Sequence, residues 1–271
     1  RMWVAMNVRE PMKDSRPRIA LLDADGHATG GELLGTPGRV VRGIVVDADG
    51  GCFGVGVAGV MGDWDFAYWA ITAAGVQTLG DVYDYKGEIW PHKFRDLGND
   101  VLIDGDVAWV IGLSQGQHEN NTVRTRGVLV PMDRHTGELV ASAIVAPMTG
   151  LWTQSAIFGG TLHPDGLLVT GYGCDENCDL YRIETALYTA AGDRLWHIAE
   201  APIDGLAYGS DVALDSQGRA LVVGAATQNG KNFIAGTEVW RVNEFALRKF
   251  FARVCNVFWN FHFDMASGVE N

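Results

Sequence analysis

Short apolar runs recur along the chain, and each ends at a polar turn. Four of them stop at Asp47, Asp104, His163 or Asp215, and a second apolar run ends in Gly eight or nine residues later. These turn residues are spaced 57, 59 and 52 residues apart. Runs this short and this continuously apolar are typical of strands that are buried on both faces. The pattern predicts an all-β chain built from one repeated unit.

Each repeat is predicted to form four antiparallel strands. The first strands are 42–46, 99–103, 158–162 and 210–214, and the second strands are 52–58, 107–113, 167–172 and 220–226. Third strands are Phe66–Thr72, Gly127–Met132 and Leu180–Thr189, and fourth strands are 76–82, 138–145 and 193–199. Met2–Asn7, Ile19–Leu22 and 28–35 form an incomplete leading copy. A repeat of this length made of short strands indicates a β-propeller of four-stranded antiparallel blades.

The repeat divides the chain into one propeller domain, 1–243, and a tail, 244–271. The predicted blades are 1–41 (partial), 42–98, 99–157, 158–209 and 210–243. Two interpretations remain open: about five blades that close on themselves, or a fragment of a larger propeller. Because the chain opens with Arg1 rather than Met, we expect a leader or a longer N-terminal part before it.

The connections differ in length in a regular way. The turns that join the first strand to the second, and the third strand to the fourth, are tight and contain Asp and Gly, as in Asp47-Ala48-Asp49-Gly50. The longer connections are 59–65, 83–98, 114–125, 146–157, 173–180, 200–209 and 227–235. In consecutive up-and-down strands all of these fall at the same end, which we call the long-loop face. Binding residues usually lie on such loops, so we expect the functional site there.

The tail departs from the repeat. Phe250, Val254, Val257, Phe258 and Phe261 follow helical spacing, beside the basic residues Arg248, Lys249 and Arg253. This predicts a short amphipathic helix. It either packs on the propeller or contacts a partner or a membrane surface.

The composition argues against some classes of partner. The 271 residues carry a net charge of −12, with a pI near 4.9 and 47% apolar residues. A folded acidic chain without a basic stripe in its repeats argues against a nucleic-acid partner. No apolar run reaches the roughly 18 to 20 residues that a membrane-spanning helix needs.

Cysteine usage points to an oxidising compartment. Cys174 and Cys178 lie in one short loop and are predicted to form a disulfide, which favours an extracytoplasmic location. A lone CxxxC pair does not have the spacing of a zinc site. Neither HxH nor HExxH occurs, so we predict no metal site, and we predict no cofactor.

Candidate binding residues are aromatic and polar side chains in or near the long loops. They are Asp63, Trp64, Asp65, Tyr83, Tyr85, Trp90, His92, Gln117, His118, Glu119, Trp152, Asp175 and Glu176. Rings beside carboxylates suit a glycan or peptide, because rings stack and oxygens accept hydrogen bonds. Packing between neighbouring blades is the alternative explanation for the rings. The Asp pairs of the tight turns, Asp23 with Asp25 and Asp47 with Asp49, are interpreted as turn residues rather than calcium ligands.

The segments Gly209–Gly224 and Gly159–Gly171 resemble the β-propeller repeats of bacterial secreted and cell-surface proteins, including delta-60-type repeats. The resemblance covers residues 1–243 and implies a propeller outside the cytoplasm, without common catalytic residues. A weaker resemblance, to quinoprotein dehydrogenase repeats, rests on Asp133–Leu139 and on Ala190–Trp196. The adjacent cysteines and the calcium site of those enzymes are absent from the sequence.

These features predict a non-enzymatic, extracytoplasmic β-propeller module that binds a glycan or a protein through its long-loop face. The alternative is a propeller enzyme, carbohydrate-active or quinone-dependent, that uses carboxylates in the central channel.

Overall fold

The structure is a computed structural model, and its described residues form strands and turns. It describes residues 2–9, 15–34, 39–60, 63–85, 92–117, 123–146, 154–174, 181–200, 207–228 and 232–241. The strands are β1 (Met2–Arg9), β2 (Ser15–Leu22), β3 (Ala28–Leu34), β4 (Arg39–Val46), β5 (Cys52–Val60), β6 (Asp63–Ile71), β7 (Gln77–Tyr83), β8 (His92–Asp104), β9 (Val107–Gln117), β10 (Val123–Asp133), β11 (Ile144–Ala146), β12 (Gln154–His163), β13 (Gly166–Cys174), β14 (Tyr181–Tyr188), β15 (Arg194–Glu200), β16 (Ala207–Leu214), β17 (Arg219–Gln228) and β18 (Asn232–Arg241).

Strands that follow one another in the chain pair antiparallel and form five meanders. Meander 1 holds β1–β3, meander 2 holds β4–β7, meander 3 holds β8–β11, meander 4 holds β12–β15 and meander 5 holds β16–β18. Meanders 2 and 3 share one eight-stranded sheet. A single parallel bridge, between Trp64 of β6 and Arg95 of β8, joins them.

Apolar side chains fill the spaces between successive meanders. Trp3 and Ile19 of meander 1 pack with Trp69 of meander 2, and Phe53 of meander 2 packs with Val110 of meander 3. Similar clusters lie between meanders 3 and 4 and between meanders 4 and 5. The first strands also contact one another in order, β4 with β8, β8 with β12 and β12 with β16. Because both faces of the inner meanders are covered, their strands need apolar residues at consecutive positions.

Asp47 and Asp215 of the repeat close their turns by side-chain hydrogen bonds. Asp47 Oδ1 accepts from the backbone N–H groups of Asp49 at 2.9 Å and Gly51 at 2.7 Å. Asp215 Oδ1 accepts in the same way from Gln217 and Arg219. In the third copy His163 takes this place, and its Nδ1 accepts from the N–H of Asp165 at 3.1 Å. The turn requires a side-chain acceptor for the backbone N–H two residues later. Both a carboxylate and an imidazole nitrogen can be that acceptor.

A β-bulge interrupts the first strand of each repeat at the same position. The extra residues are Arg42, Asn99, Phe158 and Ser210, five residues before the turn residue. The recurring glycines Gly56, Gly112, Gly171 and Gly224 lie opposite. A Cβ on any of them would overlap a carbonyl oxygen of the first strand, from Val40, Leu97, Ala156 or Tyr208. The glycine of the repeat therefore lets the two backbones approach at the bulge.

The all-β prediction is confirmed for the described residues, and their ordered antiparallel sheets are consistent with a propeller-like fold. Two predicted strands were wrong in extent. The first strand of meander 3, predicted at 99–103, begins at His92, inside the predicted connection 83–98. Instead of 138–145, the fourth strand of meander 3 is limited to Ile144–Ala146, and Leu139 makes only an isolated bridge to Met132. The cause is a wider turn, in which the N–H of Asp133 donates to the carbonyl of Glu138.

The blade boundaries stay a prediction, and the tail 244–271 lies outside the described residues. Within the described part of the chain, no helix has the length and apolar character of a membrane span.

Candidate functional site

The bulges bring polar side chains together along the first strands. We call the residues Arg42–Gly43, Asn99–Asp100, Phe158–Gly159 and Ser210–Asp211 the bulge row. Arg42 Nη1 donates to Asn99 Oδ1 at 2.6 Å, and Asn99 Nδ2 donates to the carbonyl of Ile157 at 2.7 Å. Side chains thus connect three consecutive first strands. A bulge turns its residue away from the regular alternation of the strand, which allows these contacts in an otherwise apolar region.

The residue that directly follows each bulge alternates between glycine and aspartate from one first strand to the next: Gly43, Asp100, Gly159 and Asp211. Gly43 faces Asp100, and a Cβ on Gly43 would lie 2.8 Å from Asp100 Cα. Gly159 faces Asp211, and a Cβ there would lie 2.7 Å from Asp211 Oδ1. Each aspartate is therefore accommodated by a glycine on the preceding first strand.

Asp100 and Asp211 are the two carboxylates of this row. Asp100 Oδ1 accepts from the N–H of Val101 at 2.8 Å, and its Oδ2 accepts from the N–H of Gly160 at 3.2 Å. Burial raises the pKa of Asp100 to about 6. The two hydrogen bonds lower this pKa, whereas the charge of Asp211 contributes to the rise. Asp211 contacts Gly159, the neighbour of Gly160. The row therefore holds two interacting carboxyl groups, one of which titrates near neutral pH.

Four aromatic rings come together on meanders 4 and 5, on the side of the bulges that leads to the long-loop face. We call Phe158, Tyr172, Tyr181 and Tyr208 the aromatic cluster. The ring centroids of Phe158 are 5.8 Å from those of both Tyr172 and Tyr208, and Tyr172 is 5.0 Å from Tyr181. Tyr208 is 37% exposed. Rings at these spacings and tilts form a continuous contact surface with accessible edges.

A central apolar cluster supports the aromatic cluster from below. It contains Val57, Leu97, Leu113 and Ala156, which come from meanders 2, 3 and 4. Phe158 and Tyr172 pack against it, and so does Trp64. The site is therefore built on a rigid junction of three meanders.

Two arginines, Arg42 and Arg95, lie on the neighbouring first strands β4 and β8. Burial lowers the pKa of Arg42, and the positive charge of Arg95 lowers it further, so the two guanidinium groups are close enough to repel. Burial also raises the pKa of Tyr172, and Tyr181 raises it further, whereas Arg95 and a hydrogen bond with Thr125 lower it. Arg95 therefore lies near both Arg42 and Tyr172.

Three carboxylates form a separate group on the long-loop face. The ligand atoms of Asp65, Asp84 and Asp96 all lie within 4.8 Å of one another. Asp96 is fully buried and its Oδ2 accepts from the N–H of Tyr85 at 3.0 Å. Oxygen ligands at this spacing suit a hard divalent cation. All three residues also have other interaction partners in the protein, so the group by itself assigns no metal.

The structure describes the side chains of only some of the predicted site residues. Asp65 joins the carboxylate group, Trp64 packs beside the aromatic cluster, and Gln117 ends β9 at the long-loop face. Tyr85 is 8% exposed and packs between meanders 2 and 3, where Tyr83 stacks on Phe66 at 6.4 Å. For these two rings the arrangement favours packing over binding. For Asp63 and His92 only the backbone is described, and Trp90, His118, Glu119, Trp152, Asp175 and Glu176 lie outside the described residues.

The described cysteines have different chemistry. Cys174 is disulfide-bonded. Cys178, its predicted partner, lies outside the described residues, so that pairing stays a prediction. Cys52 is a buried free thiol, and burial raises its pKa to about 12.

Two cavities lie at the opposite end, near the tight turns. One, of about 390 Å³, is lined by Asp104 and by the turn 163–166. The other, of about 570 Å³, reaches from Cys52 and Phe53 to Arg134 and His135. Polar turn residues that already bond one another line both openings, as when Arg134 pairs with Asp47 at 3.2 Å. We place the candidate site at the long-loop face, where aromatic, cationic and carboxylate groups meet.

Sequence reasoning missed the bulge row and most of the aromatic cluster. Polar residues recur within or beside the apolar first strands: Arg42 and Asn99 lie five residues before the repeat turn residue, and Asp100 and Asp211 lie four residues before it. That recurring polar position was a signal in the sequence. Tyr172, Tyr181 and Tyr208 had no such signal, because strand pairing brings them together.

Comparison with known proteins shows only distant likenesses. No protein-family model matches the chain, and no curated protein matches it. An endo-arabinase from Bacteroides thetaiotaomicron VPI-5482 is similar with a TM-score of 0.45 and 13% identity over 92% of each chain. A protein of unknown function from Bacteroides caccae is similar with a TM-score of 0.41 and 12% identity, over 86% of this chain and 72% of that one. At these scores the fold rests on the strand pairing of the chain itself.

Proposed function

We propose that the five meanders are blades of a β-propeller and that the protein is an extracytoplasmic binding module for a glycan. The order of the first strands, each beside the next, supports the propeller arrangement. The repeat resemblance to bacterial secreted and cell-surface propellers and the disulfide at Cys174 support the location.

The observation that carries the glycan proposal is the aromatic cluster beside the bulge row. Phe158 belongs to both, so the rings and the polar groups form one surface. Sugar rings present apolar C–H faces that stack on aromatic rings, and their hydroxyls bond amides, guanidinium groups and carboxylates. The surface offers each of these groups, with Asn99, Arg42 and Asp211 as examples.

Binding to a panel of purified polysaccharides tests this function. Tyr181→Ala and Tyr208→Ala each remove one ring and should weaken binding about 2- to 10-fold, the usual worth of one aromatic contact. Leu195→Ala is the control, since Leu195 is 53% exposed on the outer strand β15. Isothermal titration calorimetry gives the affinities. The proposal fails if no polysaccharide binds, or if the ring variants bind as the control does.

Asp100 and Asp211 favour glycoside hydrolysis as a second candidate function. Glycosidases need one carboxyl group that donates a proton and one that stays ionised. A carboxyl group with a pKa near 6 beside a second carboxylate meets that requirement. Release of new reducing ends by the wild-type chain, lost in Asp100→Asn and Asp211→Asn, would replace the binding module by the enzyme. Unchanged polysaccharide after long incubation would leave binding as the function.

A further inference from the structure

Arg95 is a cation at the site without a partner among the described residues. It makes no hydrogen bond and no ion pair with them, and its buried Nε has no acceptor. Arg95 begins the regular part of β8, where its backbone bridges Trp64 and pairs with Gln115. An arginine whose buried Nε has no acceptor can bind an acceptor from outside.

Arg42 adds a second cation beside it. Its one hydrogen bond among the described side chains goes to the neutral amide of Asn99, and no described carboxylate lies within ion-pair distance. The protein has 33 acidic residues and a net charge of −12. Elsewhere its arginines use those acids: Arg134 lies close to Asp47, Asp49 and Asp106, and Arg219 pairs with Asp215. Among the described residues, Arg95 and Arg42 differ from Arg134 and Arg219 in having no acid beside them.

The arrangement disfavours the unliganded state electrostatically. Like charges near one another repel, and the half-buried position of Arg95 excludes part of the water that would screen its charge. An anion between the two guanidinium groups would relieve this repulsion and supply the missing acceptors. A carboxylate fits best, because the guanidinium fork binds its two oxygens side by side.

The aromatic cluster indicates what carries that carboxylate. The backbone of Arg95 bridges Trp64, which packs on the same apolar cluster as Tyr172, and the ring of Tyr172 meets Phe158 and Tyr181. A ligand that reaches the arginines therefore also lies against rings. A sugar ring with an attached carboxylate satisfies both contacts at once.

We propose that the glycan bound at the long-loop face is acidic, a polysaccharide that contains uronic acid units. Arg95 and Arg42 hold the carboxylate, and the aromatic cluster holds the sugar ring. This inference rests on the proposed glycan-binding function and narrows it to one substrate class.

The test compares three probes against the full chain by isothermal titration calorimetry. They are polygalacturonate oligosaccharides, the same oligosaccharides with methyl-esterified carboxyl groups, and neutral arabinan oligosaccharides. We expect the acidic form to bind at least about 10-fold more tightly than the ester, and its affinity to fall with added NaCl. The ester keeps the sugar ring and removes only the charge.

Variants locate the effect. Arg95→Gln should weaken binding of the acidic form about 10-fold and abolish the preference over the ester. Arg219→Gln removes one positive charge at the tight-turn end of meander 5 and should leave the preference intact. Should Arg95→Gln fail to fold by circular dichroism, Arg42→Gln, at an exposed bulge, gives the same test.

The outcomes separate the two proposals. Equal binding of acid and ester, with dependence on Tyr181 and Tyr208, overturns the acidic-glycan inference and keeps the glycan-binding function. Absence of binding to all three probes overturns both. Displacement of polygalacturonate by inorganic sulfate as effectively as by galacturonate would reduce the site to general anion binding and also overturn the inference.

Discussion

Single residues in the bulge row decide the electrostatics of the site. Asp100 has two backbone hydrogen bonds, which favour its ionised form, yet burial wins and raises its pKa to about 6. The glycines that face the aspartates allow this burial, because no side chain separates the carboxylate from the neighbouring backbone. A carboxyl group that titrates near pH 6 makes both stability and binding sensitive to pH.

The first prediction at this scale concerns the charge of Asp211. Because the native state raises the pKa of Asp100, it binds a proton more tightly than the unfolded chain does. This contribution to stability is complete below the unfolded pKa and is lost as the pH rises through about 6, by about 3 kcal/mol in total. Asp211→Asn removes the nearby negative charge and should lower the pKa of Asp100. Carbon-13 NMR titration of the aspartate carboxyl groups measures this shift.

Asp25→Asn is the matched control for that titration. It removes one negative charge from an exposed turn of meander 1 and should leave the pKa of Asp100 unchanged. The difference in unfolding free energy between wild type and Asp211→Asn should be small at pH 4 and should grow in favour of the variant up to pH 7. An Asp100 that titrates near 4 in the wild type would contradict this prediction.

The bulged first strand is the element that builds the site. Each bulge needs a glycine opposite it on the second strand, and the aspartates of the bulge row need a glycine on the preceding first strand. The repeat therefore encodes how strands approach one another, in addition to where they turn. Removing one of these glycines should affect folding through the backbone, since backbone atoms have no rotamer that relieves the overlap.

Gly159→Ala tests this close approach. The added Cβ would lie 2.9 Å from Asp211 Cα, so meander 5 would have to move, and we expect a loss of about 1–3 kcal/mol. Gly105→Asn is the control, because Gly105 has φ +60° and open space around it, a conformation that Asn adopts readily. Urea unfolding followed by circular dichroism measures both. Equal stability of the two variants would show that the first strands are not in tight contact.

At the scale of the molecule, the meanders are joined by apolar clusters and by polar contacts between turns. Arg134, in the turn after β10, lies 3.2 Å from Asp47 and 3.4 Å from Asp49 of meander 2. Trp3 Nε1 of meander 1 donates to the carbonyl of Gly50 at 3.0 Å. Because each meander shares its core with the next, the described meanders are expected to unfold together.

Arg134→Gln tests the polar part of this coupling. The substitution leaves Asp47, Asp49 and Asp106 without their common cation, and we expect a loss of about 1–2 kcal/mol with one cooperative transition retained. Arg219→Gln breaks a pair within meander 5 and should cost less than about 1 kcal/mol. Thermal unfolding at low and high salt compares the two. A second transition in Arg134→Gln would mean that the turns, rather than the shared cores, hold the meanders together.

The sequence by itself determined the strands and their turns. Apolar runs, Asp turns and recurring glycines are local signals, and they placed the strands within a few residues, including the incomplete leading copy. There were two exceptions. The strand β8 begins at His92, well before the predicted 99–103. For β11, the hydrogen bonds of a wide turn after Asp133 replace most of the predicted strand. The sequence also pointed to the long-loop face, since loop lengths follow from strand positions.

Only the tertiary structure decided which side chains form the candidate site. Arg42 and Asn99 are 57 residues apart in the chain, and Asn99 and Ile157 are 58 apart, yet each pair is joined by a hydrogen bond. Such contacts depend on how one meander lies beside the next and on where each bulge turns its residue. Tyr83 and Tyr85 were candidates by loop position but pack between meanders, whereas Tyr172 and Tyr181 meet at the site because β13 and β14 pair. Local patterns specify strands, and the packing of strands far apart in sequence specifies the site.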